Sequence, residues 1–245
     1  MHYLRLDADR IVATAQRLRQ RVEQRFPDAG LARVAGELVR VAEAAQQRVS
    51  RIARPNRALR AAVLALSALI LAGLVATALS LRAPAEPLTL LAFIAALESG
   101  INDVVFVGVG VFFLMTAETR LKRHHALPAI SELRTIAHLI DMHQLTKDPE
   151  WVQPRGEETG LVQRRALTPF ELARYLDYCS EMLSITGKIA ALYAQDLEDG
   201  VVLAAVNEVE DLTTGLSRKV WQKLMILYAR KEDVPGVGVV PEAPA

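Results

Sequence analysis

Along most of the chain, apolar residues recur every third or fourth position, the spacing that lines one face of a helix. Ile11, Ala15, Leu18 and Val22 form such a stripe and predict a helix from Asp7 to Phe26, ended by Phe26-Pro27-Asp28. Val34, Leu38, Val41, Ala45, Val49 and Ile52 predict a second helix from near Ala29, with Arg33, Arg40, Arg48 and Arg51 as its solvated complement. Leu133, Ile136, Ala137 and Ile140 predict a third from Ser131 to Leu145, set off by a joint at Leu127-Pro128 and stopped by Lys147-Asp148-Pro149.

Thr168-Pro169-Phe170-Glu171 is the clearest helix start. The threonine can cap, the proline suits the first turn, and the glutamate completes a capping box. Leu172, Leu176, Cys179, Leu183, Thr186, Ala190, Tyr193 and Leu197 then alternate spacings of four and three. Asp199-Gly200 turns the chain, and Val202, Ala205, Val209, Leu212, Leu216, Val220, Leu224 and Leu227 form a facing stripe. Two ~30-residue helices joined this way predict a long antiparallel, coiled-coil-like hairpin of about 40 Å.

Residues 61–117 break that pattern. Ala61 to Leu81 is 21 residues without a charge, about the ~20 that a helix needs to cross hydrocarbon. After the short break Arg82 to Pro87, Leu88 to Ala117 is apolar again, interrupted only at Glu98-Ser99-Gly100-Ile101-Asn102-Asp103. This predicts a two-span transmembrane helical hairpin. Thirty residues of helix would extend ~45 Å against a hydrocarbon core of ~30 Å. The second span is therefore expected over about 97–117. Residues 82–96 become an outer linker whose later part extends the helix, lies in the interface or re-enters. The expected fold class is all-α. Spans 61–81 and 97–117 would anchor a cytoplasmic helical bundle made by residues 1–55 and 128–231. Residues 232–245, rich in Val, Pro and Gly, read as a flexible tail.

Charge orients the hairpin. The net charge is only +1, but residues 1–60 hold 13 arginines against six acids, while residues 151–245 hold 10 basic against 14 acidic residues. Arg51, Arg54, Arg57 and Arg60 precede the first span, and Arg120, Lys122 and Arg123 follow the second. The outer linker carries only Arg82, opposed by Glu86. The positive-inside rule then places both termini in the cytoplasm, with the basic half against an anionic leaflet. The arginines follow a helix pattern without interleaved aromatics, so nucleic acid is not an expected partner. The single cysteine, Cys179, excludes an intrachain disulfide and fits a reducing compartment. Its place on an apolar stripe predicts a buried, inert thiol. No signal peptide is read, because the first apolar run starts at residue 61. The abundance of alanine and arginine points to a GC-rich bacterial genome and hence an inner membrane.

Four groups carry candidate chemistry. Glu98 and Asn102 are four apart and share a helix face, with Asp103 beside them, so they form a candidate ion-binding site or pore mouth. The alternative is a hydrated end of the span. Gly73 on the first span and Gly100, Gly108 and Gly110 on the second let helices approach closely, within the hairpin or between copies. Trp151, Arg155, Arg164 and Arg165 fall in a long aperiodic stretch and could clamp an anionic ligand or contact lipid headgroups. His138, Asp141 and His143 lie close in sequence, but position 143 turns away from 138 on a helix, so no metal site is expected. Neither a Gly-flanked nucleophilic serine nor an HExxH is present, so no catalytic residue and no cofactor is assigned.

In layout (cytoplasmic helices, first span, short outer linker, acid-bearing second span, long cytoplasmic helices) the chain is similar to mitochondrial calcium uniporter-type channels. The similarity is one of topology. The WDIME-type outer motif of that family is absent, and no residue role carries over. The expected function is that of a non-enzymatic integral membrane protein, a homo-oligomer, whose cytoplasmic bundle mediates self-association and senses an unidentified protein partner or signal. The alternative is an oligomeric ion channel or membrane-permeabilising pore lined by the second span.

Overall fold

Helices start where the sequence offers a cap. Asp7 closes the first turn of α1 (Ala8–Arg25) by accepting from the amides of Asp9 and Arg10 at 2.9 and 3.2 Å. Asp28, in the turn that follows, takes a left-handed conformation (φ 64°), which a short polar side chain tolerates. α2 (Gly30–Ala53) starts two residues later. At the head of α5 (Pro169–Gln195), the Glu171 amide donates to Thr168 Oγ1 at 3.2 Å, and the Thr168 amide donates to the Glu171 carboxylate at 2.9 Å. This is the capping box that the sequence predicts. Asp199 starts α6 (Gly200–Glu232) by accepting from Val201 and Val202.

This computed structural model describes residues 5–54, 57–81, 90–145, 147 and 167–232. Side chains are described at all of these but 59, 74, 76–81, 92, 93, 95–97, 99, 103, 114, 115 and 230–232. Among the described residues the protein is all-α. Two long helices complete it, α3 (Arg57–Leu81) and α4 (Leu90–Leu145). The chain divides into two compact units, one of Met1–Ser50 with Ala126–Ala245, the other of Arg51–His125.

In the first unit the core is built around α5. Every residue of its predicted stripe is buried, from Leu172 to Leu197. So are Tyr175, Tyr178, Met182, Ile185, Ile189 and Leu192, because α6 packs along one side of α5 and α1 along another. On α6 the stripe drifts: Val206 and Thr213 are buried where Ala205 and Leu212 are half-buried. A helix of 3.6 residues per turn rotates steadily away from a 4,3 repeat, and the buried set follows the backbone. The two helices come closest at Gly187, where a Cβ would lie 3.1 Å from Thr213 Oγ1. The buried hydroxyls there are satisfied inside their own helices, Thr186 donating to the Met182 carbonyl at 2.9 Å and Thr213 to the Glu210 carbonyl at 3.0 Å. Phe26 closes the end of α1 edge-on against Tyr175 and Tyr178, with ring centroids 5.5 and 6.3 Å away.

The joint expected at Leu127-Pro128 does not form. α4 continues through Pro128 without interruption. Proline inside a helix costs about 3 kcal/mol. Here Ala126, Ala129, Ile130 and Leu133 are buried on both sides of it, and burying one Ile or Leu side chain returns about 1.5–3 kcal/mol. Packing on both flanks outweighs the local break. α4 starts at Leu90, so the described part of the expected linker continues this helix.

The second unit holds α3 and the first part of α4, and its apolar side chains lie outside. Leu69 is 70% exposed and Phe106 76% exposed. The stretch of α4 from Gly100 is long and apolar enough to cross a membrane, and none of its apolar window is buried. The described apolar part of α3, Arg60–Gly73, is shorter.

Candidate functional site

At one end of the second unit a single carboxylate joins two helices. Arg60 Nε, early in α3, donates to Glu118 Oε2 at 2.9 Å. Lys122 Nζ, one turn beyond Glu118 on α4, lies 3.0 Å from Glu118 Oε1. The Glu118 side chain is 16% exposed, so this ion pair is less screened than one in open water. Around it, Arg120 sets its guanidinium over the Phe113 ring at 5.1 Å, and a ring nitrogen of His125 sits 2.8 Å from the Leu121 carbonyl. Thr116 hides its hydroxyl against the carbonyls of Phe112 and Phe113 at 3.1 and 3.0 Å. A polar group in apolar surroundings needs such an internal partner. Residues 51–60 and 117–125 together carry seven Lys and Arg but only one acid, Glu118.

The residues singled out from sequence are placed as follows. Glu98 and Asn102 are both exposed on α4, one turn apart on one face. Asp103 lies in the same helix, its side chain outside the described ones. A Cβ at Gly73, Gly100, Gly108 or Gly110 would meet nothing within 4 Å, so these glycines are not points of close approach among the described residues. Trp151, Arg155, Arg164 and Arg165 lie outside the described residues, as do Arg82–Thr89 and the tail from Asp233.

The first unit has its largest hollow between the start of α1 and the middle of α5, about 710 Å³. Its charges are already matched. Arg10 faces Asp7 at 3.4 Å, Arg174 faces Asp177 at 3.5 Å, Glu181 receives the fork of Arg21, and Lys188 donates to Ser184 Oγ at 2.6 Å. A groove so neutralised selects no ligand class. Deeper in the bundle, Glu132 of α4 receives Arg40 at 2.8 Å and Arg48 at 3.4 Å. Burial pushes the Tyr193 hydroxyl up, and the Arg48 guanidinium pulls it partly back. That hydroxyl makes no hydrogen bond of normal geometry among the described residues, so the field of Arg48 is what stabilises it. Burial pushes the Cys179 thiol up to about 12, against a smaller downward pull from Lys223. A thiol so held is not a nucleophile near neutral pH.

His138 is exposed, while His143 is half-buried and packs against Gly30 so closely that a Cβ there would collide with its ring. Burial, then Arg33 and Lys147, hold the His143 imidazole below its usual value. Among the described residues no group of three or more His, Cys, Asp or Glu is placed to hold a metal ion. Sequence patterning passed over Glu118 and Glu132. The available signal was a lone acid in an arginine-rich run, and recognising it required knowing which helices lie side by side. No known protein family matches the chain, and no curated protein or solved structure is significantly similar to it.

Proposed function

We propose that this chain is a non-enzymatic integral membrane protein. α3 and the first part of α4 form a two-span hairpin, and the helical bundle mediates self-association and the sensing of a partner or signal. Both termini face the cytoplasm, with a bacterial inner membrane as the host. The observation that carries the proposal is the uncovered apolar surface of the second unit. An apolar helix at the core of a globular domain is buried, whereas the span-length stretch of α4 has no buried residue in its apolar window. Exposed Leu64, Leu69, Leu71, Phe106, Phe112 and Phe113 amount to a surface that water would not tolerate and hydrocarbon would. The Arg60–Glu118 pair supports the hairpin, because it draws the start of α3 to α4. The coiled-coil-like pairing of α5 with α6 is the surface offered for self-association.

The test is alkaline carbonate extraction of membranes from cells expressing the full chain. The protein is expected in the pellet, and its recovery in the supernatant overturns the proposal. Reporter fusions at each terminus and after Ala85 are expected to report inside, inside and outside.

A second reading, an oligomeric ion channel or membrane-permeabilising pore, is favoured by the exposure of Glu98 and Asn102 on one face of α4. Gly100, Gly108 and Gly110 leave the same helix uncovered and open to another copy. The mass of the intact complex in nanodiscs separates the two. A tetramer or larger ring with cation flux reduced by Glu98→Gln favours the pore, and a monomer or dimer without flux favours the anchored bundle.

A further inference from the structure

We infer that the charged end of the hairpin is a binding site for the phosphate headgroups of anionic phospholipids, formed by Arg54, Arg57 and Arg120. This rests on the membrane reading above and names the lipid class that the site selects.

The argument starts from how Glu118 divides the local cations. It takes up Arg60 and Lys122, one from each helix. Arg54, Arg57 and Arg120 are exposed, and among the described residues none of the three has an acidic partner. Arg57 lies three residues from Arg60, ~4.5 Å along α3, and Arg120 lies two residues from Glu118, ~3 Å along α4. The Arg60–Glu118 bond therefore brings free guanidinium groups from both helices to one end of the hairpin. Arg57 is also the first residue of α3, where the unsatisfied amides and the helix dipole favour an anion.

The surroundings fit a headgroup better than an acidic protein. Arg120 rests its guanidinium on the Phe113 ring. The apolar stem and ring lie toward the apolar run, and the charged fork sits at its edge, as an interfacial arginine does. Guanidinium presents two parallel N–H donors that match two phosphate oxygens. The edge of the apolar surface is where lipid phosphates stand, so ligand and donors meet at the same depth.

The test is native mass spectrometry of the full chain in neutral detergent. Equal amounts of phosphatidylglycerol and phosphatidylcholine with identical acyl chains are added. The wild type is expected to retain phosphatidylglycerol preferentially. A basic residue near a membrane surface contributes about fivefold, so Arg54→Gln, Arg57→Gln and Arg120→Gln together should lower that preference on the order of 100-fold. Each single variant should lower it about fivefold, which keeps the inference testable if the triple variant does not insert. Arg17→Gln, Arg19→Gln and Arg218→Gln, an equal charge loss on exposed bundle positions, should leave the preference unchanged. Equal retention of the two lipids by a carbonate-resistant wild type overturns this inference and leaves the membrane reading standing. So does an unchanged preference in the triple variant, or an equal loss in the control. Extraction of the wild type by carbonate overturns both.

Discussion

The two units hold similar apolar side chains and treat them in opposite ways. Leu183 in α5 is 0% exposed and sits among neighbours from α6 and the rest of the bundle. Leu69 in α3 is 70% exposed. The bundle alternates apolar and polar positions, so each helix has a face to bury and a face to leave in water. The hairpin helices are apolar all round, so turning either one hides nothing. Such a helix is stable only in an apolar medium, and that medium has to come from outside the chain. Polar groups follow the same division. In the bundle they are paired across helices, as Arg40 and Arg48 are with Glu132. In the second unit the paired charges gather at one end, around Glu118.

This contrast can be broken most severely by hollowing the bundle. Leu183→Ala should cost about 2–5 kcal/mol, read as a lowered denaturation midpoint of the bundle. Leu69→Ala, on an uncovered face, should leave that midpoint unchanged. The same experiment has a chemical readout. Cys179 is buried with its thiol pushed up to about 12, so a maleimide reagent at pH 8 should label it only on unfolding. Leu183→Ala should then speed labelling by at least about 30-fold.

The converse change puts a charge on the uncovered face. Phe106→Arg falls near the middle of the expected span and should cost about 2.5–3.5 kcal/mol of insertion, read as a loss of the carbonate-resistant fraction. Thr214→Arg, at an exposed position of α6, should stay within about 0.5 kcal/mol of wild type. Equal effects of the two substitutions would erase the distinction between the units.

Smaller effects test the ends and joints of the bundle. Thr168→Ala removes the cap of α5 and should cost about 1 kcal/mol in a denaturant titration. His143 should add a mild acid sensitivity. Its folded-state pKa lies below the ordinary 6.5, so the folded protein prefers the neutral ring. Stability is then complete above the unfolded-state value and is lost as pH falls through 6.5 toward the folded value. His143→Gln should flatten that part of the pH–stability curve.

Much of the bundle could be read from the chain because local rules write it. The Thr168–Glu171 box, the Asp7 cap and the stripe from Leu172 to Leu197 all depend on residues at most four positions apart. Pro128 misled for the same reason. Its local preference is to end a helix, and the burial of Ile130 and Leu133 that overrides it comes from other segments. Of the candidate site residues, Glu98 and Asn102 stand on one exposed face, as their spacing requires. The grouping of Arg60, Glu118 and Lys122 could not be read that way, since 58 positions separate the first two.

By itself, then, the sequence determined the helices, their caps, the apolar runs and the balance of charge, because each follows from backbone period and near neighbours. Tertiary structure alone decided four further points. α5 is enclosed on most of its circumference, His143 closes against Gly30, Glu132 collects two arginines of α2, and Glu118 is shared between α3 and α4. Each depends on which distant segments come to lie side by side. A period of 3.6 tells which face of a helix is apolar, but not what will cover it.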